Sequence, residues 1–335
     1  MQRNKPFFIS NSLLRMLLFS FLTLGLLSCS GSQSRTTEFP LRFLSVGTAP
    51  PGGAFFVVGS AIADIIQAGN SEKGWQVNAE ATKGTQENIR RLNRGEIDLA
   101  LANAAITYFA VRGESGWEKT YDMRAVMTLA PNVAMFVTLA DSGIKNIVGL
   151  KGQRVVIGPS GAGFEMFVEP ILEAHGLRYD DLTVLHAGQS AAVDMLFDGA
   201  ARAAFLGGAI PTASITQAAA THEITLLPLA EGKQEELTRS FPFFHAAVIP
   251  SETYRNVNRE YRGLNVGSMH LITAAAADEE MIYAATRALY ENREEFSRKH
   301  PVGRTVNPVN AVRKTGVQFH PGAIRYYREI GIWND

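Results

Sequence analysis

The sequence predicts an α/β protein built from two similar lobes with a cleft between them. Residues 42–104 and 154–208 each follow the order strand, glycine-rich turn, helix, strand, small polar turn, helix and strand. Two glycine pairs lie at one offset of 104 residues (188 minus 84, 199 minus 95): Gly84 with Gly188, and Gly95 with Gly199. Ligands of open α/β sheets bind at the carboxyl ends of strands, beside helix N-termini. The duplication therefore favours a clamp that closes on a small molecule.

The N-terminus predicts export from the cytoplasm. Arg3, Lys5 and Arg15 precede or flank an apolar run at residues 16–27, and no acidic residue occurs before Glu38. This order is typical of a secretory signal peptide. The run is shorter than the roughly 20 residues that cross a bilayer. We therefore predict a signal peptide at residues 1–28.

Cys29 is the only cysteine, which excludes an intramolecular disulfide. Its place directly after the apolar run resembles a bacterial lipobox, in which the thiol is lipidated and the mature chain begins at the cysteine. A cleaved signal peptide with an incidental cysteine is the alternative. Residues 29–41 are polar and predict a flexible linker. The expected location is the periplasm or the cell surface, with Cys29 as the membrane anchor.

The composition excludes several classes of protein. The chain has 32 basic and 32 acidic residues, and removal of the signal peptide would leave 29 basic residues. The sequence has no basic stripe, which argues against a nucleic-acid partner. The seven histidines lack metal-binding spacing, and neither a phosphate-binding loop nor a nucleophile elbow is present. We therefore expect no catalytic residues, metal or cofactor. We also expect a monomer, and the length of the chain suits two lobes.

The first repeat carries a separate signal for each element. Residues 41–47, 75–81 and 97–102 predict strands, and residues 55–67 and 86–94 predict helices. The glycine turn before the first helix should present free N–H groups to an anion.

Two polar residues of this repeat are candidates for ligand contact. Thr85 stands where the N-cap of the second helix belongs, so its hydroxyl either only caps the helix or also faces the ligand. Asn103 follows the third strand, at the edge where the cleft should lie.

The second repeat has matching elements. Residues 154–158, 183–187 and 203–206 predict strands, and residues 164–175 and 190–197 predict helices. Glycine-rich turns follow its first and third strands, and glycine allows a close approach of the backbone to a ligand.

Two further segments are expected to link the lobes, and one long helix follows them. Residues 124–129 and 133–139 predict strands. Residues 134–139 of the second strand and residues 266–273 are the predicted crossovers, and residues 278–296 have an apolar helical face. The predicted domains are residues 42–135 plus 266–335 for lobe 1, and residues 136–265 for lobe 2.

The chain resembles the TAXI group of TRAP-transporter solute-binding proteins over residues 42–332. Five stretches carry the resemblance: residues 47–59, 83–88 with 95–100, 150–155 with 158–163, 249–254 and 320–331. The last is the most specific. The resemblance implies a type II periplasmic-binding-protein clamshell, in which each lobe is a sheet flanked by helices. It also implies an extracytoplasmic receptor that passes a small organic anion or amino acid, such as glutamate or 2-oxoglutarate, to a sodium-driven TRAP-type permease.

Departures from that family bear on the ligand. The family usually has Thr-Tyr-Tyr-Pro where this chain has Ala54-Phe55-Phe56-Val57, and Gln-Ser-Asp where it has Asn103-Ala104-Ala105. The loss of polar side chains predicts a more apolar pocket, which suits a carboxylate with an apolar body. A receptor that serves a signalling partner, and an enzyme on a two-lobed scaffold, are the alternatives.

The expected ligand contacts combine backbone N–H groups of the glycine turns with nearby side chains, because charge-assisted hydrogen bonds hold anions well. The predicted ligand-binding residues are Gly53, Ala54, Phe55, Thr85, Gln86, Asn103, Ser160, Gly161, Ala162, Gly163, Gln189, Ser190 and Gly208.

Overall fold

The computed structural model describes residues 41–49 and 54–334. The predicted signal peptide, Cys29 with its lipid anchor, and Gly53 lie outside the described residues.

Twelve strands occur in the described part of the chain. They are β1 (Arg42–Gly47), β2 (Trp75–Glu80), β3 (Leu99–Asn103), β4 (Met123–Thr128), β5 (Val133–Leu139), β6 (Arg154–Ile157), β7 (Thr183–Leu185), β8 (Ala203–Gly208), β9 (Ile224–Leu226), β10 (Phe244–Ile249), β11 (Tyr261–Val266) and β12 (Met269–Ala274).

Ten α-helices accompany these strands over the same residues. They are α1 (Ala54–Ala68), α2 (Thr85–Asn93), α3 (Ala104–Ala110), α4 (Glu165–Ala174), α5 (Gln189–Phe197), α6 (Ala213–Thr221), α7 (Lys233–Ser240), α8 (Glu279–Glu291), α9 (Arg293–Lys299) and α10 (Pro321–Glu329).

The strands form two mixed sheets. The first sheet has the order β2-β1-β3-β12-β4, and the second has the order β10-β11-β5-β8-β6-β7 with β9 paired to β5. In the first sheet β1 lies parallel between β2 and β3, and in the second β6 lies parallel between β7 and β8. The two repeats predicted from the sequence therefore fold alike, and the two-lobed α/β prediction is confirmed.

The chain passes between the sheets at residues 129–132 and 267–268. The strand predicted at residues 133–139 is confirmed as β5, but residues 134–139 do not form a crossover, because they pair with β8 inside the second sheet. Of the second predicted crossover, residues 266–273, only residues 267–268 connect the sheets, because residues 269–273 belong to β12. We use "first half" for the first sheet with its helices, and "second half" for residues 133–266. The domain bounds predicted from the sequence stay a prediction.

Apolar periodicity explains how the helices attach to the sheets. One buried cluster joins α1 and α8 to the first sheet through Ile62, Leu101 and Ile282. Such burial is the main favourable contribution to folding. A second cluster lies within the second half, around Val137 and Val193.

A third buried cluster includes residues of both halves. It contains Ile89 and Phe109 from the first half, with Phe136, Phe167 and Phe205 from the second. The rings of Phe109 and Phe243 lie 5.4 Å apart at an angle of 62°. Aromatic packing of this kind joins the halves directly. None of the helices in the described ranges is both long and apolar enough to cross a membrane.

Candidate functional site

The two halves meet where α2 and α4 begin, and we call this boundary the seam. Gln86 Nε2 of α2 donates to Glu165 Oε1 of α4 at 3.3 Å. Gly163 precedes α4 with a φ of +86°, and a Cβ there would lie 3.0 Å from Gln86 Nε2 and 3.1 Å from Ile106 Cδ1. Both the conformation and the close contact therefore favour glycine. Two of the predicted residues, Gln86 and Gly163, thus come together.

A cavity of about 390 Å³ opens beside this contact. Both halves contribute to its walls. The lining residues are Gln86, Arg90, Ser115, Gly116 and Trp117 from the first half, and Glu165, Met166 and Glu169 from the second. A concave site with a few polar groups among apolar ones is typical of small-molecule binding.

The only basic residue of the cavity lining, Arg90, already has partners. Its guanidinium carbon lies 5.0 Å from the centre of the Trp117 ring, and its Nη1 donates to Gln86 Oε1 at 3.4 Å. Its Nη2 lies 3.8 Å from Glu118 Oε2. These contacts place Arg90 against the first-half wall and partly neutralise its charge.

The second-half wall of the cavity is acidic. Burial raises the pKa of Glu169, and the neighbouring carboxylates of Glu165, Glu173 and Asp180 raise it further. Burial, with the charges of Glu165 and Glu169, raises the pKa of Tyr179 to about 12. The wall therefore favours a positive charge in the cavity.

The N-cap role that the sequence allowed for Thr85 is wrong, and both Thr85 and Asn103 have internal hydrogen-bond partners. Gly84 is the N-cap of α2, and Thr85 is its first residue, with no side-chain capping bond. The buried Thr85 Oγ1 instead accepts the N–H of Asn103 at 3.0 Å. Asn103 Oδ1 caps α3 by accepting the N–H of Ala105 at 2.8 Å, and its Nδ2 donates to the Gly267 carbonyl at 2.9 Å. The amide of Asn103 thus contacts the second crossover, and its predicted contact with a ligand stays a prediction.

Gln189, another predicted ligand-binding residue, also has internal hydrogen-bond partners. Its Nε2 donates to the Gly207 carbonyl at 2.7 Å, and its Oε1 accepts the Gly207 N–H at 3.2 Å and the Ser214 hydroxyl at 2.7 Å. These bonds occupy the amide with internal partners. Ser190 is exposed beside it, and Gly208 ends β8 with a φ of +154°.

The remaining predicted residues lie at the two glycine turns. Ser160 and Gly161 are exposed, and Ala162 is buried with its N–H bonded to the Pro159 carbonyl at 3.1 Å. Ala54 begins α1 and is exposed, and Phe55 packs against the core of the first half. None of these residues lines the cavity described above.

Sequence reasoning missed Arg90, Trp117 and Glu169. Gln86 and Arg90 are four residues apart, as are Glu165 and Glu169. That spacing places each pair on one helix face, and was the available signal. In the described ranges, no group of three or more metal-ligating side chains comes together.

The two sheets, each with parallel strands that lead into helix N-termini near a shared seam, define the two-lobed fold of periplasmic binding proteins. The chain belongs to the NMT1-like family, whose model matches residues 46–331. The narrower TAXI resemblance stays a prediction.

Three solved structures show the degree of likeness. A protein of Bordetella bronchiseptica RB50 is 14% identical, with 87% of this chain and 81% of that chain covered and a TM-score of 0.51. The periplasmic aliphatic sulphonate binding protein SsuA from Escherichia coli is 14% identical, with coverage of 80% and 81% and a TM-score of 0.47. The alkanesulfonate-binding protein SsuA from Xanthomonas axonopodis pv. citri, bound to MOPS, is 16% identical, with coverage of 86% and 90% and a TM-score of 0.47. At these identities the likeness concerns the fold alone.

Proposed function

We propose that this protein is an extracytoplasmic receptor that captures a small solute and delivers it to a membrane permease. The observation that carries the proposal is the cavity on the seam, because residues of both halves line it. A solute bound there contacts both halves at once, so its binding shifts the protein toward the closed arrangement. The role is binding and transfer, without a catalytic step.

Among the solutes expected from the sequence, an amino acid fits the cavity better than a dicarboxylate or an apolar carboxylate. The lining carries two carboxylates, Glu165 and Glu169, against the single cation of Arg90. An ammonium group would offset this excess of negative charge. The solute carboxylate would lie toward Arg90 and the N–H groups at the start of α2, which attract anions.

Matched pairs of amino acids and their 2-keto acids test this proposal. L-glutamate with 2-oxoglutarate, and L-leucine with 4-methyl-2-oxopentanoate, differ only where the ammonium replaces the keto group. Isothermal titration calorimetry should show at least about tenfold tighter binding of one amino acid than of its keto acid, a difference of about 1.4 kcal/mol. Equal or tighter binding of the keto acids would contradict the amino-acid proposal but leave a receptor. Failure of all four to bind, with no small molecule released from the purified protein, would contradict the receptor itself.

The partner and the location are part of the same proposal. The TAXI resemblance supports a TRAP-type permease as partner, and the lipobox-like position of Cys29 supports a periplasmic or cell-surface lipoprotein. Intact mass spectrometry of protein purified from membranes should find a mature chain that begins at an acylated Cys29. A mature chain without acyl groups would contradict the lipid anchor.

A further inference from the structure

The two repeats share a hydrogen bond at equivalent positions. Thr85 and Gln189 begin α2 and α5 and are 104 residues apart, the offset of the repeat. Thr85 Oγ1 accepts the N–H of Asn103 at 3.0 Å, and Gln189 Oε1 accepts the N–H of Gly207 at 3.2 Å. Asn103 and Gly207 are also 104 residues apart; Asn103 is the last residue of β3, and Gly207 is the last but one of β8. The two repeats therefore share one bond, in which the accepting side chain is threonine in the first repeat and glutamine in the second.

Both bonds occur where the third strand of the repeat, β3 or β8, extends beyond the end of its pairing with the parallel neighbouring strand, β1 or β6. The pairing of β1 with β3 ends at Ala100, and that of β6 with β8 ends at Phe205. Backbone groups beyond these points need other partners, because buried N–H and C=O groups are rarely left unpaired. Gln189 meets this need fully, since its amide also donates to the Gly207 carbonyl at 2.7 Å. The side-chain amide thus pairs with Gly207 as a neighbouring peptide group would.

Helix capping does not explain these side chains. The N-caps of α2 and α5 are Gly84 and Gly188, and neither helix has a side-chain capping bond. Each side chain instead points to the backbone of a residue 18 positions later.

Each fixed strand end leads straight into the next helix of its repeat, and the helix of the first repeat reaches the seam. Asn103 is the N-cap of α3, whose Ile106 lies against Gly163 of the second half. Gly207 leads to α6, where the Ser214 hydroxyl donates to Gln189 Oε1 at 2.7 Å. We infer that Thr85 and Gln189 are a matched pair of positioning residues, each of which fixes the end of the third strand and the helix start that follows. Their effect on solute binding rests on the proposed function.

Amide hydrogen exchange tests the positioning role without a solute. Thr85→Val keeps the shape of the side chain but removes the hydroxyl, and Thr85→Ser keeps the hydroxyl. Exchange at the Asn103 amide should become at least about threefold faster in Thr85→Val and stay near the wild-type rate in Thr85→Ser. In the second half, Gln189→Met should release the Gly207 amide, and Ser190→Ala at the exposed neighbouring residue should not. Unchanged exchange in Thr85→Val and Gln189→Met would overturn the inference.

Binding of L-glutamate and L-leucine to the same variants tests the functional consequence. Thr85→Val should weaken the binding of whichever probe the wild type binds by about tenfold, and Thr85→Ser should restore it to within about twofold. Normal binding by a variant with fast exchange would overturn the link between positioning and affinity. If the wild type binds neither probe, the exchange experiment still decides the positioning role, so the two failures remain distinguishable.

Discussion

The second sheet leaves no room for a side-chain methyl group at Gly207. A Cβ at this position would lie 2.2 Å from the Ala134 Cβ and 2.5 Å from the Ala134 Cα on the neighbouring strand. Backbone lies at the point of contact, so the clash cannot be relieved by a rotamer change.

We expect Gly207→Ala to lower the free energy of unfolding by about 1–3 kcal/mol, because overpacking displaces the strand. Gly188→Ala is the matched control. It has a φ of −67°, and a Cβ there meets nothing within 4 Å, so its effect should stay within about 0.5 kcal/mol. Urea denaturation measures both variants, and an equal loss in the two would contradict the packing argument.

The residues at the start of α8 show in the sequence where this helix begins, but not where it is interrupted. Asp278 was predicted to start a long helix, and it caps α8 through an Oδ1 that accepts the Met281 N–H at 2.8 Å. The predicted helix of residues 278–296 is in fact two, because the chain interrupts it at Asn292 between α8 and α9.

The cap of α8 provides a prediction at the scale of the element. Asp278→Ala should lower the free energy of unfolding by about 1 kcal/mol, because the N–H of Met281 loses its acceptor. Asp278→Ser should stay close to the wild type, since serine caps equally well. The Asp278→Ser variant would also lose the exposed ion pair between Arg42 and Asp278, whose atoms lie 3.6 Å apart, but this pair contributes little to the free energy of unfolding. Thermal or urea unfolding separates the two variants, and equal destabilisation of both would show that capping is not the cause.

The sequence could predict the elements whose signals are local or repeated, but not the contacts between distant residues. Apolar periodicity and the 104-residue offset identified both repeats, because these signals are local or repeat at a fixed spacing. The strand at residues 133–139 was predicted, but its assignment as a crossover was wrong because an apolar pattern does not show which sheet a strand joins. The roles of Thr85, Asn103 and Gln189 depend on backbone groups 18 or more residues away. No local pattern encodes such partners.

The candidate site was less predictable than the fold. Gln86 and Gly163 lie at the boundary of the halves, their predicted contact with a ligand stays a prediction, and the acidic wall was not anticipated. Glu165 and Glu169 become part of the cavity only because α4 packs against the first half, which is a property of the tertiary structure.

At the scale of the whole molecule, the charge of the seam links pH to stability. The pKa of Glu169 is higher in the folded protein than its ordinary value of 4.5, mainly because of burial. The folded state therefore holds the proton more strongly than the unfolded chain. The protonated Glu169 therefore contributes its full share of the free energy of unfolding below the ordinary pKa. This contribution is lost as the pH rises through the raised pKa of the folded state.

We expect Glu169→Gln to raise the free energy of unfolding at pH 7 without a solute, and this gain should shrink below pH 4.5. Glu231→Gln, at an exposed residue away from the seam, is the control and should show no such gain. Urea unfolding at several pH values measures the effect. A lower stability of Glu169→Gln at pH 7 would contradict the electrostatic description of the cavity.

The position of β12 has a consequence for how the protein is made. In the first sheet β12 separates β3 from β4, so β4 has no strand partner until residues 269–274 have been synthesised. Every strand of the second sheet, by contrast, lies within residues 133–266. As the chain emerges, the later segment can therefore complete its hydrogen-bond ladders while the earlier one still lacks β12, the strand that joins β3 to β4. Folding in chain order would finish the inserted body before the body that encloses it, which reverses the usual order of N-terminal domains first.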